Sequence, residues 1–382
     1  MKKIIVSILL IALIATCAFA LIACDDREKE PPKTPQNVED DGGKNDEADE
    51  DEIETDLSVD LQSEVGLYFL DENASYVRYS KDLDSRYFDK NKPTIVYFHC
   101  WLPGGVSKGE IAFSSESVCR GWTMQGYNVC VLDYARYAKD LETLFEKIWI
   151  EFEGSHSVGC RFAKEFIDCF ADYENEIRFV SHSFGAHSAL ATAYITARMY
   201  EKGVIKSNIV PARMTFADPY LGDVFYQVSG NSAGEILDGV GEKVNGRSTT
   251  EVFADCMQYL ADKGVAMDVY AGMPFAYDQF LEEEPQRRTA CKKKLYDSAV
   301  WTILVGMQDK YGKVGDIHNL TLDWVYESFF ATVKEDDDGF YPTAALDNDR
   351  IKELKGKLFN STLEGLDVEN DVLIEVKRND EV

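Results

Sequence analysis

The sequence predicts an α/β fold, a mostly parallel sheet with helices on both faces and an antiparallel N-terminal edge. Three observations predict it. Apolar runs of strand length alternate with helix-forming stretches through the body of the chain, the order that gives crossover-connected parallel strands. At Ile177–Tyr194 a short apolar run (Ile177, Phe179, Val180) meets Ser181-His182-Ser183-Phe184-Gly185, and an Ala-rich stretch of helix formers follows. That is the strand–turn–helix context in which a strained turn presents a serine, provided the residues two before and two after it are small. Finally, Trp101, Ser183 and Asp218 all fall at predicted strand ends, where open parallel sheets place their sites.

Taken in order, the chain begins Met1-Lys2-Lys3 and runs apolar from Ile4 to Ala23, as an export signal does. The run is also just long enough for a permanent membrane helix. Its end, Leu21-Ile22-Ala23-Cys24, resembles the lipobox of bacterial lipoproteins. That resemblance implies cleavage after residue 23, lipidation of Cys24 and an extracytoplasmic domain anchored to a bacterial membrane. Residues 25–56 hold 15 Asp/Glu against 4 Lys/Arg and three prolines, too little apolar surface to offset the entropy of ordering. Residues 24–57 are therefore expected to be an acidic, self-repelling tether. Of the formal net charge of −28, residues 57–382 retain −19, which disfavours nucleic acid as a partner.

The folded domain is expected over residues 58–346. Gly66–Leu70 and Tyr76–Tyr79 read as opening strands of an antiparallel edge, and Pro93–Trp101 and Tyr127–Tyr134 as buried strands with a helix over 116–124 between them. Residues 139–173 read as helical, broken near Gly154. After the 177–194 unit come a strand ending Ala217-Asp218-Pro219 and another at 299–305, separated by long connections. In the first connection Phe225, Tyr226, Val228 and Ile236 suit a lid, an acyl-binding wall or an ordinary helical face. Glu282-Glu283-Glu284 and Lys292-Lys293-Lys294 suit a solvated face, and Glu335–Gly339 a surface turn without calcium-loop spacing. Residues 347–382 read as a charged C-terminal extension with one amphipathic stretch (Ile351, Leu354, Leu358). Seven cysteines lie beyond residue 24, and none shows a C-x-x-C metal spacing. They read as buried thiols, with a Cys256–Cys291 bridge as one conceivable pairing. No cofactor motif and no metal site is expected.

A serine hydroxyl needs a histidine base, itself oriented by a carboxylate. The chain offers five histidines: His99, His156, His182, His187 and His318. His99 suits bracing the loop after its strand, His182 points away from the attack side, His187 packs one turn into the helix, and His156 precedes the serine. His318, in a predicted loop late in the chain, completes the order Ser…Asp…His. For the acid, Asp218 beside Pro219 is preferred over Asp309, which lies only nine positions before His318. Oxyanion donors fall on the backbone N–H groups of Phe184 and Trp101. A second copy of the pattern, Ser155-His156-Ser157-Val158-Gly159, competes with Ser183 but sits on a poorer strand and helix.

His99-Cys-Trp101, Asn128–Asp133, Val158-Gly159 leading to Phe162–Ile167, His182–His187, Ala217-Asp218-Pro219, Met267–Tyr270 and the segment from His318 to Ser328 come in the order of pancreatic-lipase-like enzymes, and the chain resembles that family over roughly residues 90–330. The resemblance implies an α/β-hydrolase fold, esterase or lipase chemistry on lipid or other acyl esters, a Ser183–Asp218–His318 triad and no cofactor. Cys100 and Ser181 stand where the family has glycine. Because the family also holds members without turnover, a binding protein for a lipid or a protein partner is the alternative.

Overall fold

A computed structural model describes residues 65–71, 73, 75–102, 116–139, 141–149, 157–206, 209–221, 225–226, 247–272, 285–305, 314–330, 343–362 and 376–378. All of them lie in the second of the chain's two units, residues 51–382. The strands are β1 (Gly66–Leu70), β2 (Tyr76–Arg78), β3 (Thr94–Phe98), β4 (Asn128–Asp133), β5 (Ile177–His182), β6 (Arg213–Ala217), β7 (Phe225–Tyr226), β8 (Arg247–Ser248), β9 (Ala266–Ala271), β10 (Val300–Val305), β11 (Leu358–Thr362) and β12 (Val376–Arg378). The helices are α1 (Glu116–Met124), α2 (Leu141–Trp149), α3 (Val158–Phe170), α4 (Gly185–Glu201), α5 (Thr249–Asp262), α6 (Pro285–Ser298), α7 (Val314–Ser328) and α8 (Asn348–Glu353).

Among the described residues one sheet of ten strands runs β12-β11-β10-β9-β6-β5-β3-β4-β1-β2. From β11 to β4 every neighbour pair is parallel. β1 is antiparallel to β4 and β2, which gives the antiparallel N-terminal edge that the sequence predicts. The chain moves outward from β3 to β4, then returns to β3's other side for β5. That reversal is a topological switch point, and it puts the carboxyl ends of β3 and β5 beside one crevice. Strand order, switch point and the turn after β5 make this an α/β-hydrolase fold.

The central strands are apolar and buried on both faces, as parallel strands between helices must be. Alternation then sorts their side chains into two cores. Val96, Phe98, Phe179 and Phe216 face one way, against α2, α3, α4 and α5. Ile95, Tyr97, Val180 and Tyr270 face the other, against α1, α7 and α8. β5 continues into α4 almost without a loop, so Ser183 has no freedom to move away from the sheet.

Under the sheet, near the amino ends of β5, β6 and β9, Arg213 makes a bidentate pair with the fully buried Asp268 at 2.6 and 2.9 Å. Arg178 donates to Thr215 Oγ1 and to the carbonyl of Ala344 at 2.9 Å, and Arg213 also reaches the carbonyl of Leu346. Burial opposes the ionised Asp268 carboxyl, and Arg213 overcomes it, so its pKa lies below the ordinary value. These bonds fasten residues 343–346 to the core. They lead directly into the stretch that the sequence sets apart as an extension. There Asp347 caps α8, accepting from Arg350 N at 2.8 Å, and Ile351 and Leu354 are buried. β11 then adds to β10 in parallel and β12 closes the edge. High charge on the outer face conceals this, because one buried stripe per helix is enough to dock it.

Candidate active site

The turn after β5 is built by sterics. Ser183 has φ of +54°, a left-handed conformation that non-glycine residues avoid, and it is 8% exposed. A Cβ on Gly185 would run into the carbonyl oxygens of Phe98 and His99, so only glycine lets α4 start this close to β3. The strain, roughly 1–3 kcal/mol for such a residue, is held by its neighbours. Ser183 N donates to Ala217 O at 3.0 Å, and Ser183 O accepts from Tyr220 N at 3.1 Å. Ser181, two residues earlier, is buried with its hydroxyl unpaired among the described residues, so a serine fits here without making a bond.

In the sheet register His182 pairs with Ala217 and Ala217 with Tyr270, which sets Ser183, Asp218 and Ala271 side by side at three strand ends. Asp218 also has a left-handed backbone, φ +43°, and is 2% exposed. Its two carboxylate oxygens are separately engaged. Oδ1 accepts from Gly272 N at 3.0 Å, and Oδ2 lies 2.6 Å from His318 Nδ1. A carboxylate only accepts, so Nδ1 carries the proton and Nε2 of a neutral His318 keeps its lone pair. Asp309 lies outside the described residues, and the imidazole's Nδ1 is already taken by Asp218.

His318 is not in a loop, as the sequence reading expects, but in the second turn of α7, its side chain 22% exposed. Gly315 and Asp316 look like turn residues. Yet glycine costs a helix only about 1 kcal/mol, and an aspartate in the first turn favours the helix dipole.

His156 lies outside the described residues, and His99, His182 and His187 are structural in their contacts. His99 Nδ1 bonds Cys100 O at 2.8 Å, its Nε2 accepts from Tyr134 N at 3.1 Å, and its ring stacks on Tyr134. It braces the strand end as expected. Trp101, half-buried, donates its indole N–H to Lys139 O at 2.9 Å, while Leu102 N bonds Ala138 O. His187 is fully buried among Phe145, Phe184 and Phe253, with Nε2 at 3.1 Å from Tyr220 O. Burial pushes its pKa down to about 3. His182 does turn away from the serine's open side, as expected. It turns toward α7, where Nε2 sits 3.0 Å from the backbone carbonyl of His318 and the two rings lie 4.4 Å apart. No sequence signal links these residues, since 136 positions separate them. Burial, and then the His318 ring, push His182 down to about 3.

The competing pattern resolves differently. Ser157 caps α3, accepting from Cys160 N at 3.1 Å, and a Cβ on Gly159 would strike Ala191 of α4. That glycine serves helix–helix contact. Among the described residues the seven cysteines from Cys100 to Cys291 form no disulfide, so Cys256 and Cys291 are not bridged. Phe225 and Tyr226 pair with Arg247 and Ser248 in a two-stranded sheet. Cys24, Val228, Ile236, Glu282–Glu284 and Glu335–Gly339 lie outside the described residues. Among the described residues no group of three or more His, Cys, Asp or Glu is placed to hold a metal ion, and no helix is long and apolar enough to cross a membrane.

No protein-family model matches the chain. No curated protein matches it either. Among solved structures, the acylaminoacyl peptidase of Pyrococcus horikoshii is 12% identical, over 66% of this chain and 39% of its own, with a TM-score of 0.33. The acetyl xylan esterase of Aspergillus awamori is 15% identical over 59% of this chain and 75% of its own, TM-score 0.28. MenH from S. aureus is 11% identical over 63% and 83%, TM-score 0.23. The chain thus spans well under half the length of the peptidase. The fold assignment rests on strand order and the turn after β5, not on these likenesses.

Proposed function

We propose that the chain is a serine hydrolase that cleaves carboxylic esters, with lipid or other acyl esters as substrate, and that it works outside the cytoplasm, tethered to a bacterial membrane through lipidated Cys24. The observation that carries the catalytic part is the 2.6 Å Asp218–His318 contact, next to a serine at φ +54° on the neighbouring strand end. The Ser183 hydroxyl attacks the acyl carbonyl as His318 Nε2 takes its proton, and Asp218 stabilises the imidazolium through Nδ1. The backbone N–H groups of Phe184 and Trp101 receive the oxyanion. Collapse expels the alcohol, protonated by His318, and leaves an acyl-serine. Water, deprotonated by His318, then attacks that ester and releases the acid.

The test is hydrolysis of p-nitrophenyl esters of increasing acyl length by the full chain in detergent. Ser183→Ala should lose turnover by several orders of magnitude while staying folded, roughly a millionfold in the best-studied serine hydrolases. An unaffected variant refutes the site. A preference for long acyl chains supports a lipase, and a preference for short ones a small-ester esterase. Cys100 at the oxyanion loop favours a second reading, a hydrolase-fold protein that binds a lipid or protein partner without turnover. A fluorophosphonate that fails to label Ser183 in the folded chain favours that second reading.

A further inference from the structure

His182 is a buried polar side chain that links the nucleophile's strand to the base's helix, and the scheme above gives it no task. It is the residue immediately before Ser183, it is 2% exposed, and its Nε2 lies 3.0 Å from the main-chain oxygen of His318. A carbonyl oxygen only accepts, so Nε2 must carry a hydrogen. A helical carbonyl has a second lone pair free for such a bond beside its own i+4 partner, so α7 loses nothing by accepting it. The two imidazole rings also lie against each other, their centroids 4.4 Å apart and their planes tilted by 34°.

The base is thereby held at two points. Asp218 fixes its ring through Nδ1, which sets the side-chain rotation. His182 fixes its main chain, and does so from the residue covalently joined to Ser183. The distance between base and nucleophile is then set inside one short loop of bonds: Ser183, its neighbour's imidazole, the His318 carbonyl and the His318 ring. We propose that His182 is a positioning residue for His318, donating its Nε2–H to the His318 carbonyl and so fixing the base relative to Ser183. This rests on the serine-hydrolase reading for its catalytic consequence, though not for the contact itself.

The role demands a neutral His182. Burial and the adjacent His318 ring keep its pKa near 3, so it stays uncharged across the range in which a histidine base works. A charged ring at this place would face the imidazolium that forms on His318 during turnover.

The experiment uses the full chain labelled with [15N]histidine, whose five histidines give a tractable spectrum. The Nδ1 proton of His318, in a short bond to Asp218, resonates far downfield and is assigned by its loss in Asp218→Ala. His182→Met keeps an apolar side chain of similar length without a donor, and His182→Gln returns an N–H near the position of Nε2. The expected result is that the downfield signal broadens or vanishes in His182→Met and returns in His182→Gln. In parallel, kcat on an ester substrate falls roughly ten- to hundredfold in His182→Met with KM little changed, and His182→Gln recovers most of it, as a misplacement near 1 Å would produce. A sharp, unshifted signal in His182→Met overturns the proposal. So does equal loss in both variants, which would assign the effect to ring volume. Should His182→Met fail to fold, the wild-type nitrogen shifts decide: a neutral Nε2–H tautomer for His182 supports the proposal, and an Nδ1–H tautomer overturns it. Failure of the hydrolase reading is separate, because it appears as a Ser183→Ala variant as active as wild type while the signal still reports the His182 contact.

Discussion

Asp218 combines two roles that its neighbours divide in simpler turns: it ends β6 with a left-handed backbone, and its carboxylate bridges two elements. One oxygen takes the Gly272 amide from the end of β9, the other the His318 ring from α7. Asp218→Asn keeps the volume and can keep the Gly272 bond through its remaining oxygen. It puts an N–H or a weaker acceptor opposite His318 Nδ1, so the imidazole loses its fixed tautomer and its counter-charge. The expected outcome is a folded chain with kcat lower by about three to four orders of magnitude, as for the matching change in a serine protease. Near wild-type turnover by Asp218→Asn would move the acid role to another carboxylate, Asp309 first. The sequence makes this carboxylate legible, because an aspartate between a buried strand and Pro219 has a defined place. It leaves His182's contact hidden. A bond from one side chain to a carbonyl 136 positions away follows from the sheet's register and the docking of α7, and neither is written in a local pattern.

At the scale of elements, two Ser-His-Ser-x-Gly stretches do two different things. In the later one, the serine sits between a strand that ends at His182 and a helix that begins at Gly185, and glycine admits the carbonyls of Phe98 and His99. In the earlier one, the central Ser157 is an N-cap, and Gly159 admits Ala191 of α4. What separates them is the run in front: Ile177, Phe179 and Val180 belong to a fully buried strand, whereas the nearest described stretch before Ser157 is the helix Leu141–Trp149. Ser157→Ala should therefore cost stability, about 1 kcal/mol for a lost cap, and leave kcat/KM close to wild type. Urea midpoints and ester kinetics on the same preparation check both halves. A large loss of turnover with an unchanged midpoint would mean that the earlier serine does chemistry. The same logic explains what else was legible. β3 to β6 and α4 announce themselves by runs of buried residues, while α8 buries Ile351 under a charged exterior and reads as part of an appendage. α7 conceals its start behind Gly315 and Asp316.

For the molecule as a whole, the buried histidines set a pH limit. His182 and His187 both titrate near 3 when folded, from an ordinary value of 6.5, because burial penalises the charged ring. Between those values the unfolded chain binds protons that the folded chain refuses, so stability rises with pH across this window and falls as the pH drops from about 6.5 toward 3. Asp268, held below its ordinary value by Arg213 against the cost of burial, acts in the same direction at lower pH: its contribution is present above the unfolded carboxylate's pKa and is lost as the pH falls through the folded one. The overall charge of −28 acts oppositely, since acid relieves self-repulsion. A difference between variants removes that shared background. His187→Gln can still donate to Tyr220 O but does not titrate. Going from pH 7 to pH 5, wild type should lose on the order of 2 kcal/mol more than His187→Gln, from 1.4 kcal/mol per pH unit below about 6.5. Urea unfolding of both chains at the two pH values measures it. Parallel slopes would mean that His187 takes up its proton inside the fold, and its packing between Phe145, Phe184 and Phe253 would then have to open in acid. A steeper wild-type slope would instead tie the stability of the domain to the same burial that holds the turn after β5 in place, since His187 bonds the carbonyl of Tyr220 and Tyr220 N bonds Ser183 O.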